Sequence, residues 1–121
     1  MKANELMIGD YISVKPSGMP IKVAAVHHKK VAYHAIVNKL EWVRESLLEP
    51  IPLTIEILEK NGFVNKGDEW IHYCDFPFID FTLNKDSDGF YIDCMLDGYI
   101  QYVHELQHAF KLFKVDGEII I

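Results

Sequence analysis

The chain has 121 residues, half of them hydrophobic, and a formal net charge of −6, which supplies enough apolar material for a packed core and excludes wholesale disorder. No run approaches the roughly 18 uncharged apolar residues of a membrane span, and the start "MKANELMIGD" lacks the apolar stretch of a signal peptide, so a cytoplasmic protein with no membrane partner is expected. The charge is uneven: residues 1–50 carry seven Lys and Arg against five Asp and Glu, net +2, whereas 51–121 carry five against thirteen, net −8. The second half repels phosphate backbones and the first is only weakly basic, which argues against a nucleic-acid partner.

From the N-terminus, "MIGDYISVKPSGMPIKVAAVHHKKVAYHAI" reads as short strands cut by turns. A turn at Gly9-Asp10 precedes alternation at Tyr11, Ser13 and Lys15; Pro16-Ser17-Gly18 breaks the run; then come "IKVAAV", the "HHKK" corner and "VAYHAIV". Such a series predicts a small, curled antiparallel sheet or barrel of SH3-like character over residues 1–50. Trp42 and Val43 are placed to close that sheet, and Pro50 and Pro52 mark a boundary where neither a helix nor a central strand continues.

Residues 51–121 predict an α+β module of short helix, antiparallel strand meander and C-terminal helix. Thr54 is a good N-cap for "IEILEKNGF", Ile57 and Leu58 give that helix an apolar face, and Gly62 stands where its end requires a left-handed residue. In "PFIDFTLNKDSDGFYIDCML", Ile79, Phe81 and Leu83 alternate with Asp80 and Thr82, while Phe90, Ile92 and Cys94 alternate with Tyr91 and Asp93. This is the period of two half-buried strands joined as a hairpin at "NKDSDG". A helix is predicted over Ile100 to Phe113, with "EIII" at the end as an edge strand through which a second copy of the chain would pair. A chain this short is expected to hold one core, or two small modules sharing an interface.

Several residue groups invite chemistry. Aligning "NKDSDG" with a calcium loop puts Asn84, Asp86 and Asp88 at the first ligand positions, but the closing bidentate carboxylate would fall on Met95, so a hairpin turn accounts for the same residues. His27, His28, Lys29 and Lys30 form a charged corner with the residue types that contact phosphate, but charged loop tips are ordinary and a solvated loop is the expected reading. His34 and His72 lie in strand surroundings and are expected to be packed or hydrogen-bonded. Cys74 and Cys94 have no thiolate-metal spacing and are expected as small buried strand residues, and Asp75, Asp80, Asp93 and Asp97 as a solvated strand face.

His104, Glu105 and His108 spell H-E-x-x-H, in which two histidines one helical turn apart bind zinc and the glutamate acts as base toward the bound water. The extended form would require His at position 114, where Lys114 stands, and downstream only Asp116 and Glu118 are acidic. At about 100° per residue, Val103, Leu106, Phe110 and Phe113 fall on one stripe, with both histidines outside it. Both imidazoles are therefore expected in water, and no metal or other cofactor is expected. A zinc-dependent hydrolase using His104 and His108, with Glu105 as base, is the alternative.

The segments "ELMIGDYISV", "IKVAAV", "LEPIPLTIEILEKNGF" and "YVHELQHAFKL" resemble an uncharacterised family of small proteins from gut bacteria of the Bacteroides type and from their prophages. The resemblance implies a mobile-element context, assigns no activity, and implies that Asn can replace His108. The expected function is that of a non-enzymatic binding or adaptor module for a protein or peptide. Its candidate binding residues are the aromatics of the N-terminal sheet, Tyr11, Tyr33 and Trp42.

Overall fold

The computed structural model describes residues 1–73, 80–92, 98–115 and 117–121. The chain is an α+β protein, whose described residues form antiparallel sheets and two α-helices, and it divides into two compact units, Met1–Ile51 and Pro52–Ile121. Among the described residues no helix is long and apolar enough to cross a membrane.

The first unit holds strands β1 (Tyr11–Val14), β2 (Met19–Lys22), β3 (Ala25–His27), β4 (Lys30–Ile36), β5 (Lys39–Arg44) and β6 (Leu48–Pro50). They form two three-stranded antiparallel sheets, ordered β2-β1-β6 and β3-β4-β5. Alternation decides what is buried. Ile12, between Tyr11 and Ser13, faces inward opposite Ile21 and Pro50, and it shares a core with Ala3, Leu6, Val23, Val31 and Leu48. The turn into β1 is closed by the buried Asp10, whose Oδ2 accepts the Met7 N–H at 2.8 Å. Gly9 supplies the positive φ of +97° that this turn requires.

In the second unit, helix α1 spans Ile55–Lys60. It starts where the Thr54 Oγ1 accepts the Ile57 N–H at 3.2 Å and ends before Gly62 at φ +83°. Strands β7 (Val64–Lys66), β8 (Glu69–His72), β9 (Phe81–Asp86) and β10 (Gly89–Tyr91) follow as a four-stranded antiparallel meander. At the β9–β10 turn the Asp86 Oδ1 accepts the N–H groups of Asp88 and Gly89 at 2.8 and 3.2 Å, and its Oδ2 accepts the Tyr99 hydroxyl at 2.8 Å. These carboxylate oxygens make the hairpin turn expected of "NKDSDG". Phe81, Leu83, Phe90 and Ile92 are buried as the alternation requires; Ile79, Cys74, Cys94, Asp75, Asp93 and Asp97 lie outside the described residues, and Asp80 is exposed.

Helix α2 spans Val103–Leu112, shorter than predicted. Its start is delayed because Ile100 and Tyr102 are held in β-bridges to Phe90 and Pro52, which keep that backbone extended. The terminal "EIII" does not form the predicted strand. The Asn61 carboxamide, at the end of α1, accepts the Ile120 N–H at 2.7 Å and donates to the Ile120 carbonyl at 2.6 Å, making the two bonds that a neighbouring strand would make. Ile119 is buried beside them.

Candidate functional site

The H-E-x-x-H residues sit in the first two turns of α2, and their surroundings overturn the expected orientation. His104 is only 7% exposed and His108 is partly buried. The wheel treated apolar residues alone as inward, whereas α2 also buries His104 and Gln107 beside Val103, Leu106, Ala109 and Phe110. The His104 ring lies parallel to that of Tyr102 at 5.9 Å and edge-on to His108 at 5.7 Å. Glu105 caps the helix: its Oε1 accepts the N–H groups of Gln101 and Tyr102, each at 3.0 Å. The glutamate of the motif thus has a structural task. Among the described residues no three His, Cys, Asp or Glu side chains are grouped to hold a metal ion.

His72 is packed, as expected, against Phe63 at 5.3 Å and Phe110 at 5.2 Å, and burial pushes its pKa below the usual 6.5. His34 differs: it is exposed on the outer side of β4.

The three candidate aromatics do not share one surface. Tyr11 pairs across the first sheet with Lys22, whose Nζ lies 5.8 Å from the ring centre. Tyr33 is on the inward side of β4, packed against the core, with its hydroxyl donating to the Glu41 Oε2 at 3.4 Å. Trp42 stands on the outward side of β5 and is 46% exposed.

The register of β3, β4 and β5 explains what surrounds that indole. Residues directly opposite one another share a face. Val26, Val31 and Val43 form the inward row and pack on the core. The adjacent outward row is His27, Lys30 and Arg44, and the next is Ala25, Ala32 and Trp42. In that row Ala32 is fully buried and Ala25 partly so, while Trp42 remains 46% exposed. The Lys30 Nζ lies 5.0 Å from the Trp42 ring centre, and the His27 ring 6.3 Å away, edge-on. His27 in turn meets His28 at 4.3 Å, the latter held at φ +50° in the β3–β4 turn. Asn4, His27, His28, Lys29, Lys30 and Arg44 line an open groove of about 770 Å³ along this edge.

Sequence reasoning marked His27 and Lys30 but missed Arg44, which is fourteen positions from Lys30 and joins them only through strand pairing. The available signal was the alternation of "HKKVAYHAIV" against "KLEWVR", which places Lys30, His34, Leu40, Trp42 and Arg44 on one side once the hairpin is registered. Comparison with known proteins gives no match: no family model, no curated protein and no solved structure is significantly similar to this chain.

Proposed function

We propose that the protein is a non-enzymatic binding module that works in the cytoplasm through the outward face of the β3-β4-β5 sheet. The observation that carries this reading is Trp42, 46% exposed and flanked by the basic row. An indole left in water loses the burial that a core position would give it, and tryptophan and arginine are both among the residue types enriched at binding hot spots. The β4–β5 hairpin also exposes Ile36, Val37 and Leu40, so apolar contact area continues beyond the ring. The hydrolytic reading is disfavoured because the Glu105 Oε1 is engaged at the start of α2. The resemblance to small proteins of Bacteroides-type bacteria and their prophages fits an adaptor carried on a mobile element.

Selection of ligands for the full chain from a random single-stranded oligonucleotide pool and a random peptide library tests the reading. Recovered ligands are expected to lose binding to Trp42→Ala and keep it to His108→Ala. The reverse pattern contradicts the proposal.

A further inference from the structure

We infer that the ligand of this face is a single-stranded nucleic acid, with a base stacked on Trp42 and phosphates held by Lys29, Lys30 and Arg44. The inference rests on the binding-face reading above and adds the ligand class. Cations beside a half-exposed aromatic ring are what an unpaired strand requires: a base stacks on the Trp42 face by displacing the Lys30 ammonium, which lies over the ring 5.0 Å from its centre, and the backbone presents one charge per nucleotide to the freed cation. Trp42 and the His27-Lys30-Arg44 row are adjacent rungs of one sheet face, so stacking and phosphate contact fall within one nucleotide's reach.

Chain-wide charge opposes this ligand, but its distribution does not. At physiological ionic strength exposed charges are screened beyond about 8 Å, so the local set governs. Three carboxylates of the first unit stand away from these cations: Asp10 is buried, Glu49 pairs with Lys15 at 3.4 Å, and Glu41 faces the other side of β5 toward Tyr33. Glu5 is exposed, and Glu45, next to Arg44 and with its N–H donating to the Lys29 carbonyl at 2.8 Å, keeps its charge beside the three cations. Among the described residues no carboxylate is paired with Lys29, Lys30 or Arg44. An acidic peptide is the competing ligand for the same cations. It is less favoured because a peptide uses the indole face only where it carries an aromatic, cationic or apolar side chain at the right spacing, whereas every nucleotide brings a base.

The test is titration of the full chain with a fluorescently labelled ten-nucleotide oligo(dT), read by anisotropy and by intrinsic fluorescence. Of the two tryptophans, Trp42 is open to a quencher and Trp70, 5% exposed, is not. Binding is expected to quench the Trp42 emission, and log K is expected to fall against log salt with a slope of about −2 for three phosphate contacts. Lys30→Gln or Arg44→Gln should each reduce that slope by roughly 0.7. Trp42→Ala should weaken binding roughly 5- to 150-fold at every salt concentration, and Trp42→Phe should recover part of the loss. Several results would overturn the inference: no binding at low salt, equal binding of duplex DNA, or equal binding of inorganic polyphosphate. Quenching of Trp42 by a Glu-rich peptide in place of the oligonucleotide would sink the nucleic-acid assignment and leave the binding face standing. Binding of oligonucleotide unchanged in Trp42→Ala would sink both.

Discussion

Two histidines of the second unit are structural, and each carries its own consequence. His104 is enclosed against Tyr102 and His108, so His104→Ala removes a ring from a packed site and should cost about 1–3 kcal/mol in denaturant unfolding. The loss should be the same with and without EDTA. A wild-type stability that falls on chelation, and a variant that does not respond, would restore the zinc reading. His72 has its pKa depressed by burial against Phe63 and Phe110. The unfolded chain therefore binds that proton more readily than the folded one. Its contribution is fully present above the unfolded value of 6.5 and is lost as pH falls from there toward the folded value. Thermal unfolding between pH 7.5 and 5 should show a steeper decline for wild type than for His72→Phe; parallel curves would place the pH dependence in other groups. At this scale the sequence marked Trp42, an exposed aromatic on a strand, but not the burial of His104. A helical wheel sorts residues by polarity, whereas a helix covered on more than one side also buries polar rings.

The elements were legible where local chemistry determines them. Thr54 and Gly62 bracket α1 because a hydroxyl cap and a left-handed stop act within a few residues. The β9–β10 hairpin follows from alternation and from Asp86 at its turn. Elements set by distant partners were not legible. Helix α2 begins at Val103 because of bridges to Pro52 and Phe90, and "EIII" is claimed by Asn61, 59 residues away. The anchor of α2 is Phe110, 4% exposed, with Phe81 at 4.9 Å and Phe63 at 6.1 Å from its ring centre. Phe110→Ala should destabilise the protein by about 3–5 kcal/mol. A change below about 1 kcal/mol in urea unfolding would mean that the aromatic cluster does not hold α2 to the meander.

Across the whole molecule, the contrast that matters is between the average and the arrangement of charge. A net −6 with the excess of carboxylates in the second half describes solubility and long-range repulsion. It says nothing of the His27-Lys30-Arg44 row, which exists only once β3, β4 and β5 are paired. The fold class could be read from patterning because alternation and caps are written locally. The face that we assign to binding could not, because it is a product of register. The most direct measurement is an amide NMR titration of the full chain with the tightest ligand recovered by selection. The account predicts shifts along Ala25–His27, Lys30–Ala32 and Lys39–Arg44, centred on Trp42, with Val103–Leu112 unmoved. Shifts confined to His104 through His108 would contradict it.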